Sequence, residues 1–261
     1  MFVKEIERYE QVRADYEQRI VRRMSPEDLM ARNEILFSCH SCAIEGNTFT
    51  VDDTRALYEQ GLAMVPAGRS LLECTEIADH FRAFNFVVNN LGATFDEALL
   101  REANRLVTEH TLSYRAPGAV PGGYTTVDMA AGDTVFGDHK ALVARVPSLM
   151  ASTARAIEAG EVHPMVLAAR FHGFFEYLHP FRDGNGRTGR LLSNWILLRA
   201  GHPLLIIERE DRERYIAALR QIREEGTDEY LVTFFFEAGV RRMEAELEQK
   251  RRNSHLPPFV F

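Results

Sequence analysis

The sequence predicts an all-α fold, a helical bundle, with one short β-hairpin. Long stretches of the 261 residues place apolar side chains three and four positions apart, the spacing of one helix face. Several of these stretches begin at a serine or threonine in the N-cap position and end close to a glycine, as helices do. One segment, 122–136, instead alternates β-forming residues around a Gly-Asp pair and predicts the hairpin.

The chain 1–261 is predicted to form a single domain, because no linker, low-complexity run or repeat divides it. Residues 1–24 carry an apolar stripe, which predicts a leading helix packed on the core; a homodimer contact is the alternative. Ser25 and Pro26 mark the N-cap and first residue of the next helix, in the region 25–46. The other predicted elements are helices at 51–60, 95–110, 165–178, 191–198, 209–224 and 228–250, a catalytic core at 95–205, C-terminal helices at 206–261 and an apolar tail at 255–261 whose position stays open.

Two local patterns predict how individual helices start and how one of them faces the core. Thr50 and Thr94 each precede an acidic residue by three positions, a capping-box pattern, so each is predicted to be an N-cap. In the helix predicted over 165–178, apolar residues at four-three-four spacing predict the core-facing stripe. They are Leu167, Phe171, Phe174 and Leu178.

Composition and charge exclude two classes of partner. The net charge is −7 and the pI is near 5.8, so no nucleic-acid-binding surface is expected. No apolar run reaches membrane-spanning length, and the N-terminus is charged from Lys4 onward, which argues against a signal peptide. No membrane contact is therefore expected, and a cytoplasmic location is predicted.

Cys39 and Cys42 stand at the Cys-x-x-Cys spacing that redox and zinc sites use. Two thiols cannot complete a tetrahedral zinc shell, and the sequence holds one further cysteine and no second pair. A structural role inside the predicted helix is therefore favoured.

The segment 179–190 carries more chemically active side chains than a connection between helices needs. It reads His-Pro-Phe-Arg-Asp-Gly-Asn-Gly-Arg-Thr-Gly-Arg. Pro180 ends the preceding helix, and the apolar run from Leu191 predicts a buried helix after it. The glycines and Asn185 can turn successive backbone N–H groups into one anion-binding nest at the positive end of that helix.

The charged residues of this segment each suit one part of a phosphate site. Arg187 and Arg190 lie on one face of the first helical turn, where they oppose the helix dipole and suit a polyphosphate. Asp183 can hold Mg²⁺ while phosphates complete its shell, and His179 is placed to take a proton. Taken singly, capping explains Asp183 and turning explains Gly184, while a structural role and proton transfer explain His179 equally well. The cluster as a whole favours phosphate chemistry.

These residues resemble the signature of the Fic family: His-Pro-Phe, any residue, Asp or Glu, Gly-Asn-Gly-Arg, two residues, Arg. The resemblance implies an all-helical fold and transfer of AMP from ATP, with Mg²⁺, to a Ser, Thr or Tyr hydroxyl of a target protein. By position it implies that His179 is the general base, Phe181 a buried anchor and Asp183 the Mg²⁺ ligand. It also implies a set of phosphate-binding residues: Asn185 with Gly184 and Gly186 at the α- and β-phosphates, and Arg187 and Arg190 at the phosphate tail.

A second segment, 41–47, lies at the end of the helix predicted in 25–46. Glu45 stands there at the negative end of a helix, where an exposed carboxylate is unfavourable by roughly 0.3–1 kcal/mol, so a cationic partner is expected. Taken alone, an exposed glutamate without a role also explains it. The segment resembles the inhibitory motif of one class of Fic proteins, which is Ser or Thr, three residues, Glu, Gly or Asn. The resemblance implies that Glu45 pairs with Arg190 and blocks productive ATP binding, while Ser41 and Asn47 help to hold the helix.

The predicted hairpin is a third segment with a counterpart in Fic proteins, where a hairpin flap near the active site pairs with an extended target segment by strand addition. The matching region runs from Tyr124 to Phe136. Many members carry an arginine directly after the tyrosine, and Thr125 stands in that place here. This departure leaves target docking open, and a surface hairpin without a partner is the alternative.

Three functions stay open on the sequence. The first is an adenylyltransferase for protein hydroxyls, held back by Glu45. The second is the reverse reaction, removal of AMP from a modified protein by a water that Glu45 orients, either alone or beside the forward reaction. The third is a nucleotide-sensing regulator without catalysis. An enzyme is favoured, because the histidine, the aspartate, the asparagine and both arginines of the signature are all present.

Overall fold

The computed structural model of this chain describes residues 2–61, 65–131, 134–136 and 138–254. Within these ranges the chain forms eleven α-helices and one pair of two-residue strands. The helices are α1 (Val3–Arg19), α2 (Pro26–Ile44), α3 (Val51–Gln60), α4 (Leu71–Asn89), α5 (Glu97–Thr108), α6 (Leu112–Arg115), α7 (Leu142–Ala159), α8 (Pro164–Leu178), α9 (Asn185–Arg199), α10 (Arg212–Glu224) and α11 (Glu229–Ser254).

The all-α prediction is confirmed, whereas the hairpin predicted over 122–136 is not seen in that form. Two short antiparallel strands are formed, β1 (Ala130–Ala131) and β2 (Thr134–Val135), and the predicted Gly-Asp turn lies outside the described residues. The start of the segment pairs elsewhere, because Tyr124 forms an isolated antiparallel bridge with Phe181 and packs on its ring at 5.6 Å between centroids. The segment is thus anchored to the loop between α8 and α9 instead of to a long second strand.

The predicted N-caps are found at Ser25 and Thr50, and the one predicted at Thr94 is wrong. Ser25 and Thr50 each accept a hydrogen bond from the backbone N–H three positions on. The cap of α5 is Asp96, whose carboxylate accepts from the N–H of Leu99 at 3.0 Å. An aspartate is at least as good a cap as a threonine, and Asp96 stands directly before the first helical residue.

Helices α4 and α7 are not among the predicted helices. Helix α4 buries Glu76, Asp79 and His80 beside its apolar residues, so an apolar stripe does not reveal it. Helix α7 contains Pro147 after its first turn, a position that argues against a helix when the sequence is read alone.

Helices α8 and α9 lie at the centre of the fold. They pack against each other; α4, α5 and α2 pack on α9, while α7, α10 and α11 pack on α8. The predicted stripe of α8 is wrong at Phe174, which is 51% exposed, whereas Phe175 is fully buried. With neighbours on several sides, α8 buries more than one stripe, and its exposed line passes through Phe174.

The leading helix α1 packs on the core, as predicted, and its partner is α11. Tyr9 and Tyr16 of its stripe are buried, and the Tyr16 hydroxyl donates to Glu246 Oε2 at 2.8 Å. Among the described residues, no helix combines the length and the apolar character that crossing a membrane requires.

The free energy of unfolding is expected to fall as the pH is lowered from about 6.5 to 4.5. These limits are close to the pKa values of unperturbed histidine and glutamate side chains. Burial lowers the pKa of four histidines, His40, His80, His172 and His202, and brings the pKa of the last two to about 4. Burial also raises the pKa of Glu34 to about 7, which has the opposite effect. In this window the unfolded chain therefore binds more protons than the folded one, and each proton that is not offset costs about 1.4 kcal/mol per pH unit.

Urea denaturation at a series of pH values measures this slope. Glu34→Gln is expected to steepen it, because the variant removes a carboxyl group whose raised pKa opposes the effect of the histidines. A free energy of unfolding that is constant or rises on acidification would contradict the expectation.

Candidate active site

A cavity of about 420 Å³ opens where α8 and α9 meet, with α10 as its far wall. Its lining draws on segments that are far apart in the sequence, and includes Glu45, Phe136, His179, Gly186, Arg190 and Tyr215. The fold therefore brings the end of the α2 helix, the flap segment and the 179–190 loop to one place.

His179 ends α8 in a left-handed conformation, with φ of 47°, and its backbone N–H donates to Phe175 at 2.9 Å. Its Nδ1 lies 3.5 Å from Glu176 Oε2, and its ring stacks on Phe136 with 3.8 Å between centroids. Burial would raise the pKa of Glu176, but the adjacent His179 lowers it below its usual value. An ionised carboxylate behind Nδ1 stabilises an imidazolium, so Nε2 is the nitrogen suited to take a proton.

The Asn185 side chain shapes the loop. Its Nδ2 donates to the carbonyl of Phe181 at 2.8 Å, and its Oδ1 accepts from the N–H of Phe181 at 3.0 Å. Phe181 itself is buried, at 1% exposure. The amide group of Asn185 is therefore engaged by the loop, and the phosphate contacts predicted for this position fall to the backbone N–H groups at the start of α9.

Two glycines allow the close approaches on which the site depends. Gly184 has φ of 77°, and a Cβ there would lie 2.7 Å from Thr108 Cγ2. A Cβ on Gly186 would meet Glu45 Oε1 and would also lie 2.8 Å from Arg190 Nη1. The Glu45 carboxylate therefore lies directly against the first turn of α9, where an anion is favoured by the helix dipole.

Asp183 has one oxygen engaged in hydrogen bonds and one without a hydrogen bond. Its Oδ1 accepts from the N–H of Gly184 at 2.7 Å and from Arg187 at 3.0 Å. Its Oδ2 is buried and has no hydrogen-bond partner among the described residues. A single hard oxygen of this kind fits Mg²⁺, which proteins commonly hold through one or two carboxylates together with phosphates and water.

Arg187 is not placed as the phosphate ligand that the sequence predicts. It is 1% exposed, its Nη1 donates to Glu76 Oε1 at 2.5 Å, and its Nη2 donates to Asp183. The Arg187 guanidinium is thus held between the buried Glu76 and the partly buried Asp183, and only Arg190 of the two arginines lines the cavity.

Arg190 contacts the α2 helix at three points. Its Nε donates to Ser41 Oγ at 3.1 Å, and its Nη2 donates to the Ser41 carbonyl and to Glu45 Oε1, both at 2.8 Å. Its Nη1 donates to the Tyr215 hydroxyl at 3.3 Å. The ion pair between Glu45 and Arg190 is thus present in the structure, with Arg190 buried and the Glu45 side chain 34% exposed.

The turn that carries Glu45 is held from both sides. The Asn47 amide donates to Glu76 Oε2 at 2.9 Å and to the carbonyl of Glu73 at 3.2 Å. On the other side, Arg212 of α10 donates to the carbonyl of Ile44 at 2.7 Å. The carboxylate therefore projects into the cavity from a fixed helix end.

The flap residues lie above the loop. The Thr125 N–H donates to the Pro180 carbonyl at 2.8 Å. Arg223 donates to the carbonyl of Val135 at 3.3 Å, and its guanidinium lies 4.7 Å from the centre of the Phe136 ring. Thr125 thus lies against the 179–190 loop, and Phe136 lies against His179 in the cavity.

Three side chains of the site, Glu76, Glu176 and Tyr215, are not predicted from the sequence. Glu176 stands three residues before His179, and helix geometry would have placed the two together. Tyr215 accepts from Arg190 and lies 2.5 Å from His172 Nε2, but nothing in the sequence connects α10 to the loop. Glu76 lies on a helix that the apolar pattern does not reveal.

Cys39 and Cys42 are buried, which agrees with the structural role that the sequence favours. Burial raises the pKa of both thiols, so neither is activated as a thiolate. Among the described residues, the clusters that could hold a metal through three His, Cys, Asp or Glu ligands include neither cysteine.

Comparison with known proteins places the loop and the helices around it in a family. Residues 94–197 match the model of the Fic/DOC family. The protein adenylyltransferase Fic of Nematostella vectensis is 36% identical over 200 residues, which cover 70% of this chain and 42% of that protein. The protein of the same name from Culex quinquefasciatus is 31% identical over 228 residues, covering 85% of this chain and 43% of that protein. The chain thus spans less than half the length of these two relatives.

A solved structure shares the fold over nearly the whole chain. A Fic domain containing signaling protein from Bacteroides thetaiotaomicron superposes with a TM-score of 0.78 at 24% identity, and the match covers 91% of this chain and 95% of that one. At this level of identity the likeness shows the helical arrangement.

Proposed function

Because this chain belongs to the Fic/DOC family, through residues 94–197, we propose that it transfers AMP from ATP to a Ser, Thr or Tyr hydroxyl of a target protein. Relatives at 31–36% identity bear the name protein adenylyltransferase Fic. The observation that carries the proposal is the shared cavity, in which His179 faces Arg190 and the start of α9.

The reaction is an in-line displacement at the α-phosphorus of ATP. The hydroxyl oxygen of the target attacks that phosphorus, the bond from it to the oxygen that bridges to the β-phosphate breaks, and pyrophosphate leaves. His179 takes the hydroxyl proton on Nε2, and the Glu176 carboxylate behind Nδ1 stabilises the resulting imidazolium. Arg190 and the N–H groups at the start of α9 hold the phosphates in line with the attack.

Asp183 Oδ2 is the oxygen of this chain that would hold Mg²⁺. The bound ion would neutralise phosphate charge and stabilise the leaving pyrophosphate. Asp183 Oδ1, held by Gly184 and Arg187, keeps the carboxylate oriented for this role.

Glu45 is proposed to inhibit transfer by competing with ATP. It engages Arg190 and lies against the first turn of α9, which are the two places where a phosphate group would bind. A nucleotide must displace it to bind productively, and the displaced carboxylate must find water or another partner.

The position of Glu45 also supports removal of AMP from a modified target as a second candidate. Glu45 and His179 line the same cavity, so a water held by the carboxylate would share that cavity with a bound AMP group. In that reaction water attacks the α-phosphorus, AMP is released, and the protein hydroxyl regains a proton. A variant without Glu45 is expected to lose this reaction while it gains transfer.

Label transfer tests the proposed reaction against phosphoryl transfer. The protein is incubated with Mg²⁺, a cell extract and ATP labelled on either the α- or the γ-phosphate. Relative to the extract alone, we expect added protein labelling from α-labelled ATP and none from γ-labelled ATP, and intact mass spectrometry should show the added mass of AMP. Added labelling from the γ-phosphate would contradict nucleotide transfer, and the same experiment with the other nucleoside triphosphates reports the donor.

A further inference from the structure

A fully buried carboxylate lies behind the 179–190 loop, on α4. Glu76 is 0% exposed, and three donors surround it. Oε1 accepts from Arg187 at 2.5 Å and lies 2.9 Å from Arg115 Nη2, while Oε2 accepts from Asn47 at 2.9 Å. Both oxygens are thus fixed, and the orientation of the carboxylate is determined.

Glu76 shares its two arginines with Asp183. Arg187 bridges Glu76 Oε1 and Asp183 Oδ1, and Arg115 reaches from Glu76 towards Asp183 Oδ2, with 3.8 Å between Nε and that oxygen. Two carboxylates and two guanidiniums therefore balance in charge. The more deeply buried acid, Glu76, takes the shorter contact with each arginine.

Because both arginines make their shorter contacts with Glu76, Asp183 Oδ2 is left without a hydrogen bond. If Glu76 carried no charge, Asp183 would be the remaining acidic partner of both arginines in this cluster. Arg115 already lies close to Asp183 Oδ2. The cluster would also hold one excess positive charge. Both effects oppose the binding of a cation at Oδ2.

We propose that Glu76 is a positioning residue, which holds Arg187 and Arg115 so that Asp183 Oδ2 stays free of a hydrogen bond and can bind the Mg²⁺ of the bound nucleotide. This inference rests on the proposed function. Removing a residue that orients a metal ligand typically lowers the metal affinity by about 10–100-fold. Glu76 acts on Asp183 in this way through the two arginines.

The test measures how much Mg²⁺ tightens nucleotide binding. Calorimetry with α,β-methylene-ATP, which cannot release pyrophosphate by transfer, is carried out with Mg²⁺ and with EDTA on a Glu45→Gly background. For Glu76→Gln we expect the tightening by Mg²⁺ to shrink by roughly tenfold, the lower end of the range for such residues, with affinity in EDTA unchanged. Glu76→Asp keeps the charge and is expected to restore most of the effect.

The matched control is Glu246→Gln. Glu246 is also a buried glutamate with two arginine partners and one neutral donor: Arg32 and Arg242 donate to it, as does the Tyr16 hydroxyl. None of these contacts belongs to the loop. If the tightening by Mg²⁺ in Glu76→Gln matches that in Glu246→Gln, the proposal is overturned.

Two further outcomes keep the test decisive. If the Glu45→Gly parent itself binds no nucleotide, or gains nothing from Mg²⁺, the proposed function fails first, and the role of Glu76 fails with it. If Glu76→Gln does not fold, Arg115→Gln replaces it, because that change removes a cation that lies 3.8 Å from Asp183 Oδ2. It is expected to increase the tightening by Mg²⁺, and an equal or smaller effect would overturn the proposal.

Discussion

Replacing Glu45 with glycine is expected to raise the rate of AMP transfer by at least about tenfold. The substitution removes one charge-assisted hydrogen bond to Arg190, and such bonds contribute about 1.5–3 kcal/mol, or roughly 10–100-fold in an equilibrium constant. The Glu45 side chain is 34% exposed, so water weakens the contact and the lower end applies. The rate of label incorporation from α-labelled ATP measures the effect.

The chain offers a close control for this substitution. Glu225 is, like Glu45, a C-cap glutamate followed by a glycine with positive φ, but it is exposed at the end of α10. Glu225→Gly is expected to leave transfer unchanged. If Glu45→Gly binds ATP and still transfers no faster than the parent, Glu45 is not inhibitory.

Replacing His179 with alanine is expected to lower transfer by about 100- to 10,000-fold, the usual contribution of a general base. The change is best made in the Glu45→Gly protein, where transfer is fast enough to measure. Nucleotide binding should persist, since Arg190 and the start of α9 hold the phosphates and do not depend on the imidazole. Single-turnover rates and calorimetry separate the two effects.

His110→Ala is a suitable control, because the His110 side chain is 56% exposed and pairs with Asp79 away from the cavity. This comparison also distinguishes the enzyme from a nucleotide-sensing regulator. A regulator would retain its ATP-dependent behaviour without His179, whereas the proposed enzyme retains binding and loses turnover.

The sequence predicts the part of the site that lies in one continuous segment. From 179 to 190, chain geometry alone brings a base, an acid and an anion nest to a helix start, so their proximity follows from spacing. The contact between Glu45 and Arg190 is different in kind, because the two residues are far apart in the chain. The helix dipole indicates that Glu45 needs a cationic partner, and the resemblance to the Fic inhibitory motif identifies Arg190 as that partner.

The rest of the site depends on long-range packing that local patterns do not reveal. Arg187 looks identical to Arg190 in the sequence, and it is Glu76, on an unpredicted helix, that turns it inward. Phe174 fits the apolar stripe of α8 as well as Phe175 does, and only the arrangement of the neighbouring helices decides between them. Helix periodicity indicates that a face is apolar, but not how many partners the helix will have.

Gly186 has a consequence for how the activity of such a chain can change by mutation. A methyl group at this position would meet the Glu45 carboxylate and crowd Arg190, so the acid can occupy its place only while residue 186 has no side chain. Under the proposed inhibition, a side chain at position 186 is therefore expected to separate Glu45 from Arg190, as removal of the Glu45 carboxylate does. The proposed inhibition thus depends on Gly186 as well as on Glu45.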